Sequence, residues 1–353
     1  MRSQFDKWVS LLPVPVRRYW LLGLALLLPV LVQLTPQPGY LANVAVTISI
    51  YMVLAMGLNI VVGMAGLLDL GYIAFFAVGA YTMAICSTTL GWSFWIILPF
   101  AAGLAALFGV LLGAPTLPLR GDYLAIVTLG FGEIIRIALN NLGWLTNGPQ
   151  GILGIASPTI PWIGPGGFTW LSLDQPIQIY FVSLGFVALI YSVTQRLKNS
   201  RVGRAWVAIR EDEIAAEAMG IDTVKLKLLA FASGAAIAGM IGVLFASQLT
   251  FVAPESFTLI ESVNVLAMVV VGGMGSVPGA ILGALLLGGL PEVLRDFAEY
   301  RMLLFGAAMV LVMLLRPQGL LGDERRAAEL TGTTETIQAD ETASDIERRN
   351  LRV

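Results

Sequence analysis

Apolar residues in this chain come in long runs, without the alternation of a half-buried strand or the narrow stripe of a soluble helix. The runs fall at 19–34, 41–62, 68–90, 92–113, 123–142, 177–195, 228–249, 257–272, 278–294 and 301–315. A helix that crosses a bilayer needs about 20 predominantly apolar residues. The pattern therefore predicts an all-α fold, a polytopic transmembrane helix bundle of about ten spans. The first run reads as a span and not as a cleaved leader, because no small-residue cleavage pattern precedes the turn at Thr35-Pro36-Gln37-Pro38 and further spans follow.

Three polar segments break the runs. Residues 143–176 are rich in Gly and Pro and carry Trp144, Trp162 and Trp170, which predicts an ordered, turn-rich cap with aromatic side chains at the lipid headgroups. Within 196–227, the stretch Ser200 to Ile221 is amphipathic. Ile214, Ala218 and Ile221 recur at i, i+4 and i+7, while Glu211, Asp212 and Glu213 stand where the first turn of a helix favours negative charge, and Gly220 supplies a stop. So small an apolar stripe does not bury itself: the helix is either a solvated loop helix or one that docks on a partner. Past Gly322 the chain is rich in Thr, Glu, Asp and Ala with almost no large apolar residues, the composition of a disordered tail.

Charge gives the direction. With a cytoplasmic amino terminus and alternating spans, every Lys and Arg except Arg136, Arg295 and Arg301 falls in the cytoplasm, as the excess of basic residues in cytoplasmic loops requires. Both termini are then cytoplasmic. The organisation is a cytoplasmic segment over 1–18, a transmembrane domain over 19–321 with a cytoplasmic loop at 196–227 and an external loop at 143–176, and an acidic cytoplasmic tail over 322–353.

Composition removes several function classes. The 353 residues include no histidine and one cysteine, Cys86, so a histidine metal site, a histidine general base and an internal disulfide are excluded. No phosphate-binding loop, metal-ligand spacing or nucleophile elbow occurs, and no nucleophile stands beside a base. An intramembrane enzyme is therefore disfavoured. No cofactor is expected on this chain, the surrounding medium is lipid and not nucleic acid, and any ATP hydrolysis that drives it belongs to another polypeptide.

Ionisable groups inside spans are costly and mark a partner or a wet cavity. Glu133, Arg136 and Asn140 stand at i, i+3 and i+7 on one helix face, either as an ion pair that fixes helix packing or as a stretch of a substrate route. Glu261 with Asn264 forms a second polar pair, Asn59 is a third site, and Asp69 is placed to cap the helix that follows it. Small residues at four-residue spacing, Ala235 with Gly239, Ala238 with Gly242, Gly279 with Gly283, and Ala280 with Ala284 and Gly288, predict close helix crossings.

Five stretches carry a resemblance: Gly57 to Gly63 running into Gly66-Leu67-Leu68-Asp69-Leu70-Gly71-Tyr72, Leu119 to Arg136, Asn147-Gly148-Pro149-Gln150-Gly151-Ile152, Gly203 to Gly220, and Gly272-Gly273-Met274-Gly275-Ser276. The chain resembles the permease subunits of bacterial ATP-binding-cassette importers for branched-chain and other neutral amino acids, of the LivM type and not the LivH type. The resemblance implies an inner-membrane heterodimer with a LivH-type permease, two cytoplasmic ABC ATPases, and a periplasmic amino-acid-binding protein facing the loop at Asn147 to Ile152. It makes the cytoplasmic block a coupling helix over Glu211 to Ile221, anchored by Ile214, Ala218 and Ile221, with Arg210, Glu211, Asp212, Ala215 and Glu217 also at the ATPase. It leaves Asn59, Asp69, Glu133, Arg136, Asn140, Glu261 and Asn264 as route-lining or structural positions. A urea or short-amide importer is the alternative within this class. An ion-coupled secondary transporter using Asp69, Glu133 and Glu261 is the alternative outside it. The tail past Gly322 has no counterpart in the resemblance.

Overall fold

The computed structural model of the chain describes residues 38–294 except 117–118, 120 and 165–166, together with 300, 303, 306–307, 309–310, 314 and 319–321. The expected first span, most of the last one, the segment 1–18 and the tail over 322–353 lie outside the described residues.

The chain runs through α1 (Pro38–Leu58), which continues as a π-helix (Asn59–Met64), then α2 (Ile73–Leu90), α3 (Phe94–Thr116), α4 (Asp122–Asn141) and the single turn α5 (Gly143–Thr146). The short strands β1 (Ile152–Leu153), β2 (Thr159–Gly164) and β3 (Gly167–Ser172) follow. Next come α6 (Pro176–Lys198), α7 (Arg201–Glu211), α8 (Glu213–Ala218), α9 (Thr223–Leu249), β4 (Phe251–Val252), α10 (Leu259–Gly272) and α11 (Val277–Val293).

Among the described residues, six helical segments are long and apolar enough to cross a membrane: Gly39–Met64, Ile73–Leu90, Phe94–Thr116, Pro176–Lys198, Thr223–Leu249 and Pro254–Gly272. The apolar helix Val277–Glu292 is shorter. Asp122–Asn141 is not among the six and carries Asp122, Glu133, Arg136 and Asn140. The bundle is a multi-pass membrane fold, and six of the ten expected spans stand by length and composition.

The 27-residue helix α9 is the axis of the bundle and packs on α3, α2 and α1, while α1 also packs on α6, α11 and α10. Its small residues explain that position. A Cβ on Gly239 would lie 2.8 Å from the Ala101 carbonyl oxygen of α3, and one on Gly242 would strike the Phe76 carbonyl of α2. Close backbone contact of this kind holds helices together where lipid gives no hydrophobic drive. Gly283 does the same between α11 and α10, against the Met268 carbonyl.

The 143–176 segment is more regular than its composition suggests. β2 and β3 form an antiparallel hairpin with Thr159 opposite Ser172, and β1 pairs antiparallel with β4, Ile152 opposite Val252. These strands add to an otherwise helical fold. The second pairing ties the segment to the chain just after α9.

Candidate functional site

The segment between α6 and α9 holds two helices, and the helix expected over Glu211 to Ile221 is the shorter α8 (Glu213–Ala218). The segment divides at Asp212, whose extended backbone (φ −153°) ends α7 and begins α8. The reason is local. The Asp212 side chain accepts the backbone N–H of Ile214 at 2.9 Å and of Ala215 at 3.0 Å, so the carboxylate satisfies orphan donors at the start of a new helix. Ser200 caps α7 in the same way through the Gly203 N–H.

α7 is bound to the bundle and α8 largely is not. Trp206 is completely buried and its indole N–H donates to the Leu226 carbonyl at 2.7 Å. On α8, only Ala216 is buried. Ile214 is 67% exposed and Met219, just beyond the helix, is 84% exposed. Ala215, Glu217 and Ala218 are exposed as well, and Ile221 is half-buried. One ion pair fastens the element: the Lys227 ammonium, itself nearly buried, meets Glu213 at 2.6 Å. Because Lys227 lies on α9, the docking of α8 onto the bundle rests on the axial helix.

Immediately before α8, Arg210 reaches the π-helix. Its guanidinium donates to the Gly63 carbonyl, and its stem lies against Gly66, where a Cβ would come within 2.6 Å of Arg210 Cγ. Lys198, at the end of α6, donates to the Gly275 carbonyl at 2.7 Å, and the Gly275 N–H donates to Asn59 Oδ1 at 2.8 Å. Asn59 is fully buried, and its Nδ2 has no hydrogen-bond partner among the described residues. The π-helix, the Gly273–Ser276 turn and the segment that carries α8 thus meet in one polar junction.

A second cluster lies along α4. The Arg136 Nε donates to Glu133 Oε1 and Oε2 at 3.1 and 3.0 Å, and an Nη2 contact completes a forked pair. The side chains are 41% exposed for Glu133 and 30% for Arg136. Asn140, four residues on, is exposed. Beside Glu133 a cavity of about 150 Å³ opens, lined by Leu70, Ile73, Leu129, Gly132, Phe257, Leu259 and Ser262. The turn ahead of α2 forms one wall and is held from both sides, the Leu70 N–H donating to Thr128 Oγ1 at 3.0 Å and the Ile73 N–H to Ser262 Oγ at 3.2 Å.

Two expectations change here. Asp69 does not reach the first turn of α2: it is fully buried, accepts the Gly71 N–H at 2.9 Å, and so shapes the turn ahead of the helix, with its Oδ2 unpartnered among the described residues. Glu261 takes its hydrogen bond from the Tyr51 hydroxyl of α1 at 3.0 Å and not from Asn264. Thr128, Ser262, Tyr51, Lys198 and Lys227 were missed by the sequence reading. Lys198 and Lys227 fall in the basic stretch 196–227 of the sequence, where charge looks like orientation alone, and the hydroxyls are common side chains whose partners are distant in sequence.

Residues 40–313 match the family described as the branched-chain amino acid transport system permease component. The chain is 49% identical over 294 residues to the high-affinity branched-chain amino acid transport system permease protein LivM of Escherichia coli strain K12, covering 79% of this chain and 69% of the relative. It is 29% identical over 250 residues to a probable branched-chain amino acid transport permease LivM of Methanocaldococcus jannaschii, covering 65% and 69%. The LivH permease of Escherichia coli strain K12 is 28% identical over 294 residues, covering 78% and 92%. No solved structure matches the chain.

Proposed function

Since the chain belongs to the branched-chain amino acid transport permease family, we propose that it works as the LivM-type half of an importer whose other permease is of the LivH type. The second relationship, to LivH proteins at lower identity, supports a pair of similar but distinct permeases. Two ABC ATPases on the cytoplasmic side would drive it and a periplasmic amino-acid-binding protein would load it. The branched-chain designation shared by the relatives favours aliphatic amino acids over urea or short amides. In this reading the protein is a transport subunit in the inner membrane, with both termini cytoplasmic and about ten spans in all.

The observation that carries the coupling role is α8 itself. Ile214 and Ala218 of α8, and Met219 just beyond it, stand exposed on a segment pinned to the bundle by Trp206 and Arg210 of α7 and by the Lys227–Glu213 ion pair. A short helix that leaves apolar side chains in solvent while its base is fixed suits a rigid plug for a groove on an ATPase. Glu211, Asp212 and Glu217 surround that plug with negative charge. Movement of the plug would reach the π-helix through Arg210.

Cysteine replacement tests the contact directly. Met219→Cys is expected to cross-link to the ATPase subunit in the assembled importer, with the yield changing when nucleotide is added. A cysteine at Leu153, which is also strongly exposed but lies on β1, is expected to give no ATPase cross-link. Equal yields from the two positions would remove the docking role of α8.

A further inference from the structure

The cavity beside α4 has a use that the coupling scheme leaves open. Five of its lining side chains, Leu70, Ile73, Leu129, Phe257 and Leu259, are hydrocarbon. Gly132 adds no side chain, and the Ser262 hydroxyl oxygen already accepts the Ile73 N–H. An aliphatic group placed there meets carbon and leaves few polar groups stranded. The charged rim is equally specific. Glu133 lines the cavity and Arg136 stands one turn further along the same helix, the two joined but both partly exposed. Glu255 lies near enough to act electrostatically on Arg136. Glu133 is eleven residues into α4, so at about 1.5 Å per residue the pair sits roughly 16 Å along the helix, near its middle.

We propose that this cavity is a transit subsite for a branched-chain amino acid, with the aliphatic side chain in the cavity, the ammonium at Glu133 and the carboxylate at Arg136. This rests on the importer reading above and names where on this chain the substrate is held. A zwitterion leaving water needs both charges met at once. An acid and a base at i and i+3 present opposite charges a few ångströms apart, as the two ends of an α-amino acid do, and each group keeps a counter-ion whether the substrate is there or not. Ligand pockets combine a mostly apolar wall with a few placed polar groups, which is the composition found here. Urea has neither the two charges nor the hydrocarbon, so this geometry selects against it. A conduction site must also release what it binds, and the exposure of Glu133 and Arg136 leaves them free to turn back to each other.

The test is photolabelling of the complete importer in proteoliposomes with a diazirine analogue of leucine, followed by peptide mass spectrometry. ATP-dependent uptake of the analogue, with label on the α4 segment around Leu129 or the α10 segment around Leu259, and loss of that label under excess unlabelled leucine, is the expected result. Leu259→Trp, which fills the cavity from its rim, is expected to lower leucine uptake at saturating binding protein at least tenfold. Uptake of the analogue with no competable label on either segment, or with the Leu259→Trp rate unchanged, overturns the subsite and leaves the importer reading standing. An importer that moves neither leucine nor the analogue with ATP overturns the importer reading itself, and the subsite with it.

Discussion

At the scale of single residues, several polar side chains among the described residues hold backbone. Arg210 donates to the Gly63 carbonyl, Lys198 to that of Gly275, and the Trp206 indole to that of Leu226. The Gly63 carbonyl lies in the π-helix and the Gly275 carbonyl in a glycine turn, both outside a regular α-helical ladder, while the Leu226 carbonyl lies in the first turn of α9. Replacing Arg210 by Ala removes a charge-assisted bond worth about 1.5–3 kcal/mol from the link between α8 and the π-helix. The expected outcome is an importer that assembles and hydrolyses ATP but whose hydrolysis is several-fold less stimulated by loaded binding protein. ATPase assays with and without binding protein decide it, and undiminished stimulation would deny Arg210 a transmitting role.

At the scale of elements, helix crossings are set by glycine. Gly239 faces Ala101 and Ala105 of α3, and Gly79 of α2 meets the backbone of Gly239. Gly239→Leu forces side-chain atoms into Ala101 and Ala105 of α3, and overpacking of this kind costs about 1–3 kcal/mol. Gly103→Leu on α3 serves as the control, because a Cβ there meets nothing within 4 Å. Size-exclusion profiles and thermal denaturation in detergent should show aggregation or a lowered midpoint for Gly239→Leu alone. Equal behaviour of the two variants would mean that the α9 crossings are looser than the geometry states.

The helix crossings were legible in the sequence. Small residues at four-residue spacing announced the crossings because lipid-embedded helices pack by backbone approach, which only such residues permit. Glu133 and Arg136 announced themselves as charges inside an apolar run, and the structure pairs them. The break at Asp212 was not legible from periodicity. Acids crowded at 211–213 suit the interior of a first turn and the cap of a second helix equally well, and the backbone bonds to Ile214 and Ala215 decide between them. Asp69 was misplaced for a related reason, since an Asp before an apolar run reads as a cap whether its carboxylate reaches the helix or stops at the turn, as it does at Gly71. The cavity was invisible in sequence, because its walls come from three stretches separated by tens of residues.

At the scale of the whole molecule, the described residues form a packed core, and two of the surfaces outside it bear on transport. The core is the set of helices around α9, dense with Gly and Ala and closed to solvent. One surface is α8, which leaves Ile214 and Met219 exposed. The other is α4, where Tyr123, Ile126 and Ile134 are exposed beside the Glu133 and Arg136 pair. Exposed apolar groups on a membrane helix meet lipid at no cost, but the charged pair does not. A second permease packed against α4 would enclose that pair in a route between the two chains, with the motor on α8 and the route on α4 joined through the common bundle.

The most direct measurement of this scheme is leucine uptake into proteoliposomes holding the complete importer, with binding protein outside and ATP inside, for the unaltered chain and for Ile214→Asp. ATP-dependent uptake by the unaltered importer, and uptake reduced to the no-ATP background in an Ile214→Asp importer that inserts and purifies normally, is the predicted result. Undiminished uptake by Ile214→Asp, or uptake by this chain alone under an ion gradient without any ATPase, would contradict it.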